Sequence, residues 1–509
     1  MLTTGSTPAA SLMVGNNSNP PQQLNTVWVV PHNADHAKLF PLPVSQTDRI
    51  MNFSVDVSHF VPGRFNNERL ISALRDTLKY CQHVTARLRI KGDDWWLDAG
   101  NRGIPVGFQT TEEPLNHHPD LSVTPTEIID SLPAVDISRA HEPDWDEPML
   151  KIKVTYCSKT NESVIGLSYS HILGDGDLIV TFLGAWSQYY QGKEPFLGRP
   201  TYERYQSPQP PAEFNNNPET DAFIKRHLKH LIKIPPREQW MEMFLAAQKW
   251  TTSVDLFFSG QQIEQLRYIA DFCTDRAAKR TTQQDALGAY LITTLNRCLD
   301  VPITCVMTTV TSRGIKNPDN IKPGDWCAPG YFAAGNNIIQ VYTPSLSINE
   351  ASSIGAVAAA MRNSVREARQ YEHAKRIFAI SESIALRIAN EKTFYKFWDD
   401  GIFCWNAMGT GRSDGDVFHF GFGHARLNTY GSSATDARCF QAPTVRQLDG
   451  SWVRKADGLI MWTHVPTKIH QKFMAMIAAD FNTSTFPNNI AAREWKVQES
   501  ILGAQEARL

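Results

Sequence analysis

Apolar positions along this 509-residue chain keep two rhythms, a period of two and a period near 3.6. Leu150 to Tyr156 and Ser163 to Tyr169 follow the first, which predicts paired strands joined by the polar turn Lys159-Thr160-Asn161-Glu162. Ser72 to Cys81 follows the second and predicts a helix. Val254 to Phe258 predicts a strand, followed by helices over 260–272 and 282–297. Ser347, with Glu350 three residues later, has the spacing of a capping box ahead of the alanine-rich run 351–361, which predicts a helix start. Both rhythms fail between Gly198 and Pro236, where proline and asparagine concentrate. Within that stretch, amphipathic spacing from Asp221 to Ile234 predicts an ordered strap, since wholly structureless loops of this length are uncommon. No repeat of solenoid period is present.

The pattern is that of an α/β chain in two domains of mixed strands and helices. The N-terminal domain spans 25–200, a crossover linker 201–250, and the C-terminal domain 251–509. Residues 1–24, rich in Thr, Ser, Asn, Pro and Gln, predict a flexible tail. Composition narrows the function. With 50 Lys plus Arg against 52 Asp plus Glu, the chain has neither a basic footprint for nucleic acid nor a polybasic membrane patch. A 42% hydrophobic fraction with 13 Trp and 25 Phe excludes global disorder. No apolar run reaches the roughly 20 residues of a membrane span. The cysteines (81, 157, 273, 298, 305, 327, 404 and 439) include no C-x-x-C pair, which points to structural thiols in a reducing compartment. The first 37 residues hold no Lys or Arg, unlike a signal or transit peptide. A cytoplasmic location is therefore expected. Ala507-Arg508-Leu509, a variant of the S-K-L address, leaves the peroxisome as a minority option.

The chemistry concentrates in LSYSHILGDGDLIVTFLGAWSQYY, residues 167–190. A strand ends at Ser170 and His171 follows. Gly174-Asp175-Gly176 turns the chain, and Asp177 is placed to cap a helix with the apolar stripe Ile179, Phe182, Leu183, Trp186 and Tyr190. A histidine at a strand end faces a cleft on a fixed backbone. With an ordinary pKa of about 6.5 it is largely neutral and proton-accepting in the cell. Asp175 could sit on the imidazole or hold the loop through an arginine. The plain alternative is a histidine hydrogen-bonded beneath a turn with Asp175 as a turn residue. No metal is expected here: the glycines oppose a helix that would bring His171 and Asp175 onto one face, and no third ligand follows the spacing of H-E-x-x-H. G-x-x-x-x-G-K-[ST] and a dinucleotide-binding G-x-G-x-x-G are absent.

HILGDG (171–176) resembles the H-x-x-x-D-G signature of the BAHD acyltransferases, a branch of the CoA-dependent acyltransferases. HFGFG (419–423) is similar to their second signature, D-F-G-W-G, with His419 for Asp, Phe422 for Trp, and His424-Ala425 for the usual Lys-Pro. Further pieces follow in family order over nearly the whole chain. FPLPVSQTDRI (40–50) resembles the L-S-x-x-D start, and LISALRDTLKYCQHVTARL (70–88) the first helix and A-G-R-L strand. VDLFFSGQQIEQL (254–266) and TTQQDALGAYL (281–291) match the strand and helices after the crossover. TTVTSRG (308–314) resembles the Arg-containing strand, GYFAAGNNI (330–338) the G-Y-F-G-N loop, and FCWN (403–406) the S-W segment.

The resemblance implies two similar chloramphenicol-acetyltransferase-like domains, each a mixed sheet with flanking helices, meeting along a channel with His171 near its middle. It implies His171 as general base toward an acceptor hydroxyl or amine, with Asp175 turned away and paired to Arg313. Gly176, Gly421, Phe422 and Gly423 join Asp175 and Arg313 as supports of the site. It also implies acyl-CoA, most simply acetyl-CoA, as cosubstrate, no tightly bound cofactor, a small specialised metabolite as acceptor, and a monomer. The residues contacting CoA are not assigned, because no phosphate-binding motif marks them. SYS (168–170) lacks the second histidine that carrier-protein condensation domains place before the motif, which favours a free CoA thioester. Condensation with a carrier-bound donor and a catalytically altered ligand-binding relative are the alternatives.

Overall fold

The computed structural model describes residues 25–32, 40–45, 48–49, 51, 54–92, 94–112, 142, 145–195, 200, 218–229, 250–272, 281–316, 335–390, 401–407, 418–423, 426–430, 436–446 and 452–506. The expected tail at 1–24, most of the crossover 201–250, residues 330–334, His424 and the C-terminal tripeptide lie outside them.

The first half runs through β1 (Asn25–Val29), β2 (Phe40–Pro43), β3 (Ser54–Pro62) and α1 (Asn67–Tyr80). It continues with β4 (Arg87–Lys91), β5 (Asp94–Ala99), β6 (Ile104–Thr111), β7 (Leu150–Cys157) and β8 (Glu162–Ser170). Helix α2 (Gly176–Tyr190) follows, and α3 (Pro218–His227) lies in the crossover. The second half opens with β9 (Thr251–Phe258), α4 (Gly260–Phe272), α5 (Gln283–Asn296), β10 (Cys305–Thr311) and β11 (Ile338–Tyr342). Then come α6 (Ile354–Ala368), α7 (Tyr371–Asn390), β12 (Ile402–Ala407), β13 (Arg426–Tyr430), β14 (Asp436–Arg446) and β15 (Trp452–Pro466). Helices α8 (His470–Asp480) and α9 (Asn488–Glu506) close the chain.

Each half centres on a six-stranded mixed sheet, ordered β1-β6-β7-β8-β3-β13 and β11-β10-β12-β14-β15-β9. A small antiparallel sheet, β2-β5-β4, accompanies the first. In the first large sheet only β6 and β7 run parallel; in the second, β10, β12 and β14 do. The exchange of elements is unequal. β13 belongs by sequence to the second half, yet it pairs antiparallel with β3, Arg426 opposite Phe60 and Tyr430 opposite Asp56.

Local sequence explains the elements that carry the site. Asn66 caps α1 by accepting from the Arg69 N–H, so the helix begins earlier than apolar spacing alone indicated. Its buried Leu70, Ala73, Leu74, Thr77 and Leu78 form one stripe against α2. The stripe of α2 expected from the sequence is buried throughout, and the indole of Trp186 donates to the Leu70 carbonyl at 3.0 Å. β8 is buried at every position rather than at alternate ones, because it is a central strand covered on both faces. In the second half, Thr282 and Asp285 form a reciprocal capping box at α5, which is buried nearly all round. The capping pattern at Ser347 and Glu350 does form, but it closes a single 3-10 turn at Glu350–Ser352. The long helix α6 starts at Ile354, capped by Ser353.

Candidate active site

β8 ends at Ser170, and one 3-10 turn, His171–Leu173, leads toward α2. Asp175, not Asp177, caps that helix. Its backbone is extended (φ −85°, ψ −169°) and its carboxylate accepts from the Asp177 N–H at 3.2 Å. Gly176 is already the first helical residue, so Asp177 lies in the first turn, where an acidic side chain is stabilised by the helix dipole. Gly174 forms a parallel bridge to Gly335 of the second half. A Cβ on Gly174 would stand 3.4 Å from the Gly335 oxygen and 3.1 Å from Leu178 Cβ, so glycine permits this approach.

Three segments far apart in sequence lock onto this turn. Arg313, just past β10, donates to Asp175 Oδ2 at 2.7 Å and to Asp177 Oδ2 at 2.9 Å. Burial works against the charged guanidinium, but the two carboxylates outweigh it and raise its pKa above the ordinary value. Asp175 Oδ2 also accepts from the Asn337 N–H at 3.0 Å. The Asn336 side-chain amide donates to the backbone carbonyl of His171 at 2.8 Å and to Asp48 Oδ1 at 2.9 Å; the Asn336 N–H reaches the same oxygen at 2.8 Å. Ser45 secures the other Asp48 oxygen through its hydroxyl, at 2.7 Å. Ser312 closes the far side by donating its N–H to the Asn337 carbonyl at 2.8 Å.

Asp48, Asp175, Asn336 and Asn337 are all buried, so each satisfied bond avoids a desolvation cost of about 1–3 kcal/mol. The roles of Asp48, Asn336 and Asn337 were not read from the sequence. Their signals were the Ser45-x-x-Asp48 spacing and the paired asparagines after Gly335, which have no evident use until the chain is folded. His171 is half-buried, with its ring 6.2 Å from that of Tyr169. Its backbone is held by groups from both halves.

Gly421, Phe422 and Gly423 do not join this network. They lie at the other end of α2, where the Phe420 N–H donates to Ser187 Oγ at 2.9 Å. Ser187 is about 18 Å along the helix axis from Asp175. Phe418 and Phe420 are part of the first half's core. The Phe420 ring meets Trp186 (5.6 Å), Tyr190 (5.8 Å) and Phe65 (5.3 Å). Phe422 packs on Phe65 at 5.3 Å and covers Gly63. Phe420 and Gly421 take positive φ, 51° and 86°, in a tight turn. His419 Nδ1 accepts from the Gly421 N–H at 2.9 Å. This is the local contact an aspartate makes in such turns, and it accounts for histidine at that position. His59, fully buried in β3, donates its Nε2–H to the Phe418 carbonyl at 2.7 Å. Burial is the main cause that lowers its pKa to about 4, so the ring is neutral. Second-half residues thus hold α2 at both ends.

Solved structures share this architecture. Vinorine synthase is 14% identical, with a TM-score of 0.55 over 89% of this chain and 96% of that one. TRI101 of F. graminearum, complexed with ethyl coenzyme A, is 13% identical, with a TM-score of 0.59 over 86% and 97%. TRI101 of F. sporotrichioides, complexed with coenzyme A and T-2, is 12% identical with the same score and coverage. Vinorine synthase and TRI101 are BAHD acyltransferases, and at these identities the likeness is one of fold. The chain therefore has the two-domain α/β fold of the CoA-dependent acyltransferases. No protein-family model and no curated protein matches the sequence.

Proposed function

We propose that this protein is an acyltransferase that moves an acyl group, most simply acetyl, from CoA to a hydroxyl or amine of a small molecule. The observation that carries the reading is the convergence of Asp48, Arg313, Asn336 and Asn337 on the backbone and cap of the His171–Asp175 turn. So many buried bonds, drawn from both halves, fix the turn whose backbone carries one half-buried imidazole. Structural neighbours complexed with CoA and T-2 support CoA as donor and a small molecule as acceptor.

In the proposed reaction His171 accepts the acceptor's proton as its oxygen or nitrogen attacks the thioester carbonyl. The carbon–sulfur bond then breaks, and the imidazolium returns the proton to the CoA thiolate. Asp175 is a positioning residue: its carboxylate is occupied by Arg313, the Asn337 N–H and the helix cap. Holding donor and acceptor at one base turns a bimolecular encounter into an oriented one. Gly421, Phe422 and Gly423 act through α2, as supports of the scaffold.

The test is a panel of acyl-CoA donors crossed with an acceptor library, read by thiol release and product mass. His171→Ala is expected to cut kcat by roughly 10²–10⁴-fold with the thermal midpoint nearly unchanged. Full turnover by that variant would overturn the mechanism. CoA-induced thermal stabilisation without turnover on any pair would favour a ligand-binding role instead.

A further inference from the structure

Away from the His171 turn, α3 and the corner between α6 and α7 bring His227, Glu367 and His373 together. One donor atom from each lies within 4.8 Å of the other two. His227 Nε2 is 3.9 Å from Glu367 Oε1, and the two imidazole rings are 4.5 Å apart and nearly perpendicular. Phe223 packs on both rings, at 4.6 Å and 5.2 Å. His373 Nε2 is buried and has no hydrogen-bond partner, although a buried imidazole nitrogen ordinarily finds one.

We propose that His227, Glu367 and His373 form a binding site for a divalent transition metal of the zinc type, which fastens the crossover helix α3 to the α6–α7 corner. Two imidazoles and one carboxylate are a zinc-compatible set, and water would complete the coordination. Ligand atoms around tetrahedral zinc stand about 3.3 Å apart, so small side-chain rotations close the present spacing.

The surroundings fit neutral ligands. Burial is the main cause lowering the pKa of both histidines, His227 to about 4, so at neutral pH each ring offers a lone pair. Arg226 and Arg376 stand nearby and oppose a cation, but each is engaged. Arg226 faces the other oxygen of Glu367 at 3.8 Å and the Tyr342 carbonyl at 3.3 Å. Arg376 pairs with Glu219 at 3.1 Å and stacks on Phe223. Glu367 thus turns one oxygen toward the imidazoles and the other toward Arg226, the outer contact that orients a metal-binding carboxylate.

This inference is independent of the acyltransferase reading and is tested without substrate. The full chain is stripped with a chelator and titrated with zinc chloride by calorimetry, with metal content measured after dialysis. About one tightly held equivalent per chain and a raised thermal midpoint are expected. His227→Ala and His373→Ala should each weaken binding by roughly 100-fold or more, and Glu367→Gln by less. Cobalt(II) on the unaltered chain provides a check that does not depend on how the variants fold. It should give a visible d–d band that one equivalent of zinc abolishes, without thiolate-to-cobalt charge transfer. No bound equivalent, affinity unchanged in folded histidine variants, or a thiolate band would overturn the proposal.

Discussion

Asp175 and Asp480 are both buried, at 4% and 3% exposure, and both accept hydrogen bonds from arginine, yet they serve different ends. Asp480 takes both guanidinium nitrogens of Arg493 (2.6 and 3.0 Å), Arg297 (3.1 Å) and the Tyr290 hydroxyl (3.1 Å). These partners all lie in the second half and join α5, α8 and α9 into one core. Asp175 is held by Arg313 and Asn337 from the opposite half, and the chain it fixes carries a half-buried imidazole. Burial and the Asp480 charge push the Tyr290 hydroxyl pKa well up, so titration behaviour alone would direct attention to the wrong cluster. The origin of the converging segments, and what their backbone presents, separates a site from a core staple.

The two clusters also differ in redundancy, which predicts a contrast between two arginine deletions. Arg313→Ala leaves the buried carboxylate of Asp175, and the partly exposed one of Asp177, without that cation. It should cost about 3–5 kcal/mol in denaturant unfolding and lower transfer activity per folded molecule. Arg297→Ala leaves Asp480 with Arg493 and Tyr290. Because Arg297 is one-third exposed, the loss should stay below about 1 kcal/mol, with activity unchanged. Equal costs in the two variants would erase the distinction.

A second test uses pH at the other end of α2. His59 has a folded pKa of about 4 against about 6.5 when unfolded, so the unfolded chain binds its proton first as pH falls. Its contribution is therefore intact above pH 6.5 and is lost as pH drops toward 4, amounting to about 3 kcal/mol. His59→Gln should flatten the stability profile in that window relative to the unaltered protein. An unchanged slope would remove His59 from the account. The smallest expected effect separates the two serines before α6. Ser353→Ala should cost about 1 kcal/mol, and Ser347→Ala, on an exposed turn, a few tenths.

The sequence made the parts visible but not their meeting. The helix carrying Trp186 and Tyr190, the strand before His171 and the pairing partner Arg313 could be read from spacing or resemblance. Asp48 and Asn336, 288 positions apart, could not be joined, because polar contacts of that separation leave no periodic trace. The capping errors have the same root. Asp175 and Asp177, and likewise Ser347 and Ser353, are locally equivalent cap candidates, and the choice is made by where the tertiary structure turns the backbone. Thr282 with Asp285 has the same capping-box spacing as Ser347 with Glu350, and there the box does open a long helix. His227, Glu367 and His373 belong to no motif and become neighbours only through the crossover.

The borrowed strand has a consequence for synthesis. When the first sheet emerges from the ribosome, β3 is an edge with unpaired amides and carbonyls, and its partner β13 is not encoded until residue 426. At about 5–20 residues per second, translation of the intervening chain takes some tens of seconds. During that interval the nascent N-terminal half is a sticky intermediate, competent to pair with another chain's strand. The first half therefore cannot be expected to finish folding alone, and the last strand of its sheet arrives as a delayed closing step.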